Sequence, residues 1–224
     1  MKSLQKKLVC LQTPMKMERY HITLKNNNYL NMKLALKITV LLFLTQFSFS
    51  QEKTCEYEID ILTDTSSTRV LKDKIIDENV FGNTTSFLTF KLFDIDGFIG
   101  LNFQYLQKSK DFLTPICIDK STKIFLEMAN GKQVKLINSS DTETCNDIQY
   151  DAVNKNNLRI LSGFFYFTPE NFEDLKTSKV YLIKIAATTG DVNFVIKPEL
   201  NSEIYKDTSN PDSYFIHYLK CLGI

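Results

Sequence analysis

The chain has no tryptophan, two histidines, five cysteines, five prolines and seven glycines in 224 residues. Only one histidine, His217, lies beyond residue 50. A site relaying protons through paired imidazoles, or holding zinc on histidine, therefore has almost no raw material. No Cys-x-x-Cys occurs, and the gaps between Cys55, Cys117, Cys145 and Cys221 are 62, 28 and 76 residues, a spacing that argues against a zinc knuckle. There is no G-x-S-x-G; Ser162-Gly163 sits inside an apolar run, with no base in evident reach of the hydroxyl. No apolar stretch approaches the roughly 20 residues that cross a bilayer as a helix.

Charge is scarce in net terms but unevenly placed. The 27 basic and 26 acidic side chains give +1 overall, yet residues 1–50 hold eight of the bases and one of the acids. From Gln51 onward 19 bases face 25 acids, a net charge of −6. Nucleic-acid binding needs basic surface to displace counterions, so it is not expected. At 43% hydrophobic the chain can bury a core, and its length beyond Gln51 fits one domain.

The first fifty residues read as an address. Lys33 and Lys37 precede Ile38 to Leu44, apolar except at Thr39, and Ser48-Phe49-Ser50 ends the segment. Basic, apolar and small residues in that order make a signal peptide rather than a short core helix, with cleavage before Gln51. Met32 opens this segment, so residues 1–31 read as a leader or a misassigned start, 32–50 as the signal peptide, and 51–224 as a single β-rich domain. Cys55 follows Glu52-Lys53-Thr54, not a small apolar triplet, so no lipid anchor is expected. The mature protein is expected to be exported, periplasmic or extracellular, with no transmembrane anchor after processing.

Four cysteines in an exported chain imply a disulfide framework with three possible connectivities. Cys117 and Cys145 lie nearly equidistant from Asn130-Gly131, the turn of a hairpin over residues 123–137. Such a hairpin brings them near bridging range and leaves Cys55 for Cys221. The rival pairing, Cys145 with Cys221, and buried free thiols remain open on sequence alone.

Hairpins dominate the chain beyond Gln51. Cys55, Tyr57, Ile59 and Ile61 alternate with Glu56, Glu58 and Asp60, the period of a half-buried strand with an acidic solvated face. Three strand–turn–strand units come next, over residues 87–106, 123–137 and 180–197, each turn holding a glycine. Asn130-Gly131 reads as a type I′ turn. Residues 158–167, apolar on both faces, read as a central strand. Thr168-Pro169-Glu170 and Asn210-Pro211-Asp212 are helix-start signals, predicting short helices at 168–176 and 211–222. The fold class is mainly β: antiparallel hairpins forming a sandwich or meander sheet, with two short helices.

Candidate chemistry is sparse. Asp94-x-Asp96-Gly97 looks like a fragment of a calcium loop, but calcium takes six to eight oxygens and no further acid comes after it, so a plain hairpin turn is expected and no metal. Asp141-Thr142-Glu143 reads as solvated loop. His217 lies off the apolar stripe of its helix. The run 164–167 is aromatic without interleaved bases, which suits core and cross-strand packing better than base stacking. Paired carboxylates for glycoside cleavage cannot be seen in one sequence, but the domain leaves little room for a sugar cleft. No catalytic residue, cofactor or metal site is assigned.

A signal ending Phe49-Ser50-Gln51, an Asn-Gly hairpin, an aromatic strand running into residues 168–175, a Gly-turn hairpin and a C-terminal helix ending Leu219-Lys220-Cys221-Leu222 together resemble a group of small exported β-rich proteins of flavobacterium-type bacterial genomes. The resemblance implies location and fold, and no activity. The expected function is an exported, non-catalytic β-domain that binds another macromolecule or belongs to the envelope. A lipocalin-like carrier of a small apolar ligand is the alternative, and a carboxylate-based hydrolase the second.

Overall fold

Alternating apolar and polar side chains build a run of antiparallel strands. The computed structural model describes residues 54–140, 144–145 and 148–224. The expected leader, signal peptide and cleavage point, and residues 141–143, lie outside the described residues. The strands are β1 (Tyr57–Leu62), β2 (Ser67–Leu71), β3 (Lys74–Phe81), β4 (Thr84–Ile95), β5 (Phe98–Ser109), β6 (Cys117–Ile118), β7 (Lys123–Met128) and β8 (Gln133–Asn138). They continue as β9 (Thr144–Cys145), β10 (Gln149–Asp151), β11 (Asn156–Phe167), β12 (Val180–Ala187), β13 (Gly190–Val195), β14 (Leu200–Asn201) and β15 (Thr208–Ser209).

Eleven strands form one sheet in the order β1-β2-β4-β5-β11-β8-β7-β12-β13, with β3 also on β4 and β10 on β11. β14–β15 and β6–β9 are separate two-stranded pieces. The mainly β, antiparallel class expected from the pattern is what the chain adopts. β4 serves two neighbours along one edge: β3 pairs with Thr84–Phe90 and β2 with Phe93–Ile95. The sheet bends strongly, because Tyr105 of β5 and Phe194 of β13, five strands apart in the order, meet with ring centroids 5.1 Å apart.

Its inner face is filled by the chain's own side chains: Leu88, Leu92, Leu101, Phe103, Ile124 and Leu136 are fully buried. The C-terminal segment covers part of that face. Residues Pro211–Ser213 form a 3-10 turn, Tyr214–Tyr218 the helix α1, and Leu219–Leu222 a second 3-10 turn. Tyr214 and Phe215 stack on Phe90 at 5.9 and 6.1 Å.

Tertiary pairing corrects several local readings. In β1 a bulge at Glu58 makes Tyr57 oppose Leu71 but Ile59 oppose Val70. A bulge places one extra residue on a strand and reverses the phase beyond it. Tyr57 therefore points inward, its hydroxyl donating to the Cys221 carbonyl at 2.6 Å, while Ile59 and Ile61 are exposed instead of sharing the buried face. At residues 168–176 the helix contracts to a 3-10 turn, Phe172–Lys176, because Thr168 is held against β8: its N–H and hydroxyl both donate to the Lys135 carbonyl. Asn171 adopts φ 57° at the entry.

The turns also trade roles. At Asn130-Gly131 only Gly131 has positive φ, +80°, and its N–H donates to the Met128 carbonyl. That is a type I turn closed by a left-handed glycine, not type I′. The type I′ geometry falls instead at Asp96-Gly97, where φ is 51° and 84° and Ile95 faces Phe98 directly. Asp94 and Asp96 spend their carboxylates on this corner, accepting the N–H groups of Gly97 and Ser67 at 2.8 Å each. β11 is central, between β5 and β8, yet its second apolar face, Ile160, Phe164 and Tyr166, lies open to solvent.

Candidate functional site

Four cysteines were the residues singled out by sequence, and they form two bonds. Cys117 pairs directly across β6–β9 with Cys145, and Cys55 joins Cys221. This is the connectivity favoured by the hairpin geometry, and the rival Cys145–Cys221 pairing is not formed. The bonds position rather than react: the first ties the loops flanking the β7–β8 hairpin, the second ties the two ends of the described chain.

On the outer face of the sheet, register lines up an apolar row. Ile59 opposes Val70, Val70 opposes Phe93, Phe93 opposes Gly100, Gly100 opposes Tyr166, and Tyr166 opposes Ile137. Directly opposed residues point to the same side, so the row crosses six strands. Gly100 supplies the space at its centre: a Cβ there would lie 2.1 Å from Phe93 Cζ. The Phe93 ring lies over it and meets Phe164 and Tyr166 edge to face at 5.9 and 6.0 Å. Phe93 is covered, but Phe164 is 55% and Phe98 70% exposed. Beside them opens a shallow recess of about 240 Å³ whose walls include Phe98, Tyr166, Pro169 and Phe172. The Glu58–Lys91 ion pair lies on the same outer side.

A second recess, about 180 Å³, lies between β3, the β14–β15 excursion and α1. Lys74 there is bound to Glu56 at 2.9 Å and sits 5.9 Å above the Tyr218 ring. Burial pulls the Lys74 ammonium down, but the Glu56 carboxylate, Tyr218 and Asp207 outweigh it and hold it above its ordinary range. Tyr218 is raised by burial, against the pull of Lys74 and with the help of Glu56 and Asp207. Tyr214 is raised further, by burial first. Both phenols thus stay protonated and the lysine stays charged, so these groups offer hydrogen bonds rather than a poised base or nucleophile.

The third recess, about 380 Å³, lies where the inner face of the sheet ends, bounded by the 112–116 loop and the β12–β13 turn. Arg159 stands in it, 2% exposed. Its Nε donates to Gln107 Oε1 at 3.1 Å, Nη2 donates to the same oxygen, and Nη1 donates to the Thr114 carbonyl. Gln107 in turn donates to the Tyr105 hydroxyl at 2.9 Å. Burial lowers the Arg159 pKa, with Tyr105 opposing. Comparison with family models, with curated proteins and with solved structures finds no match.

Neither Arg159 nor the outer row was singled out from sequence. Arg159 had a readable signal: it is in phase with Leu161 and Phe165, the buried positions of its strand. The outer row had none, because register joins residues from six separated segments. His217 is half-buried on α1, as its place off the apolar stripe implied. Among the described residues no cluster of three or more metal-ligating side chains occurs.

Proposed function

We propose that the chain is an exported, non-catalytic β-domain that binds a protein partner through the outer face of its sheet. The observation that carries this reading is the register-aligned apolar row Ile59–Val70–Phe93–Gly100–Tyr166–Ile137 with Phe164 and Phe98 beside it. Contiguous exposed aromatic surface marks interaction sites. Its plan is that of a protein interface: rigid aromatic anchors at the centre, a recess fit for one apolar side chain, and an ion pair, Glu58–Lys91, on the same side. An anionic membrane would be met by a basic rim instead.

Export is supported by two disulfides, which persist in oxidising compartments, by the signal-like segment before Gln51, and by the resemblance to small exported bacterial β-rich proteins. Among the described residues no helix is long and apolar enough to cross a membrane. The carrier reading draws on the open recess at Arg159 rather than on the interior, which side chains fill.

The test is site-specific photocrosslinking in cells that produce the protein. A photoreactive phenylalanine at position 164 is expected to capture one defined protein, and the same group at Val153, 90% exposed in the turn between β10 and β11 at the opposite end of β11 from Phe164, is not. Ile137→Asp should abolish the adduct. Identical adducts from both positions would remove the proposal.

A further inference from the structure

Arg159 is a buried cation satisfied only by neutral acceptors. Its hydrogen-bond partners are an amide oxygen and a backbone carbonyl, and no ion pair involves it among the described residues. Burying a guanidinium is unfavourable unless an opposite charge compensates. The acids nearby are committed or displaced. Asp191, on the rim, is bound to Lys184 at 2.6 Å. Asp77 acts on Tyr105 and is itself drawn by Lys197.

Arg159 has five N–H donors, and its three contacts with Gln107 and Thr114 leave two for a ligand. The recess in front of it has a volume of about 380 Å³, within the range of small-ligand sites. One side of it is apolar, with Phe112, Leu113, Pro115, Ile116 and Val192, and the β12–β13 turn adds Thr189, Gly190 and Asp191, the last neutralised by Lys184. Phe112 is 78% exposed at the mouth. One fixed cation at the base of a recess with an apolar side is complementary to an amphiphile with an anionic head.

We infer that the Arg159 recess binds a small amphiphilic oxyanion, a carboxylate or phosphate head on an apolar chain, with Gln107 holding the guanidinium fork in place. This site lies on the inner side of the sheet and is independent of the outer-face reading. Its failure would leave that reading untouched.

The experiment is isothermal titration of the purified chain, both disulfides intact, with octanoate, octyl phosphate and octanol. Either anion is expected to bind one to one, and octanol about tenfold or more weakly, since a charge-assisted hydrogen bond to Arg159 is lost. The tighter of the two anions identifies the head group. Arg159→Gln should weaken anion binding by a similar factor. Because Arg159 also braces the Thr114 loop, that variant can fail to fold, so a second variant carries the test. Val192→Glu brings a carboxylate into the recess as an internal counterion and should abolish anion binding while raising the melting temperature. Absence of binding to the wild type, equal binding of octanol, or full binding in Val192→Glu would each show that Arg159 is only a strut for the loop.

Discussion

Asp77 shows how one extra residue decides the environment of a side chain. The bulge in β3 makes Ile75 oppose Thr89 but Asp77 oppose Leu88, a fully buried position. Asp77 is thereby turned toward the inner face with Ile76. Burial raises its pKa above the ordinary 3.8; Lys197 opposes this and Glu78 adds to it. A carboxyl whose folded pKa is raised contributes most below its unfolded pKa and loses that contribution as pH climbs through the folded value. Asp77→Asn should therefore match the wild type at about pH 3 and exceed it at about pH 7. Urea midpoints at the two pH values measure this; a variant less stable at neutral pH would mean that the attraction of Lys197 outweighs desolvation.

At the scale of elements, β4 and β5 are joined through Phe93 and Gly100. The ring occupies the space a side chain would need, so Gly100→Ala is expected to cost about 1–3 kcal/mol, as overpacking does. The clash is with one ring. In a Phe93→Leu background the same substitution should cost much less, and urea unfolding of the four proteins gives the coupling. Equal losses in both backgrounds would place the strain in the strand rather than in the ring. The rings of Phe164 and Tyr166 depend on the same packing, so Gly100→Ala should also disorganise the proposed interface. The hairpins and their glycines were legible because period two and turn chemistry are local. The expected helix at 168–176 shortened to the 3-10 turn Phe172–Lys176 because the Lys135 carbonyl, far away in sequence, takes the hydrogen bonds of Thr168.

For the whole molecule, the Cys55–Cys221 bond spans 166 residues and Cys117–Cys145 spans 28. In the chain-entropy model these closures stabilise by about 5 and about 3.5 kcal/mol. The long one also holds the C-terminal segment on the sheet, together with the Tyr57 hydroxyl on Cys221 and Arg69 Nη1 on the Leu222 carbonyl. Paired Cys→Ser substitution at 55 and 221 should lower the calorimetric melting temperature more than substitution at 117 and 145, and reduction of the wild type should lower it most. Indifference to both reductant and substitution would show that the core alone sets stability.

What the sequence determined by itself is what short-range chemistry controls. Apolar alternation specified strands, glycines specified corners, and the near-symmetric placement of Cys117 and Cys145 about one turn favoured their pairing over its rival, which the folded chain then decided. What only the tertiary structure decided is which face each strand presents and what lies beside it. A single bulge at Glu58 exposed Ile59 and Ile61, and another at Ile76 turned Asp77 inward. Register across six strands assembled the outer apolar row. The sheet's curvature shut Arg159 away from water with no carboxylate partner among the described residues. Such outcomes depend on hydrogen-bond partners tens of residues away, and a one-residue shift in pairing exchanges the two faces of a strand. The pattern along the chain names the strands, and the ladder between them makes the sites.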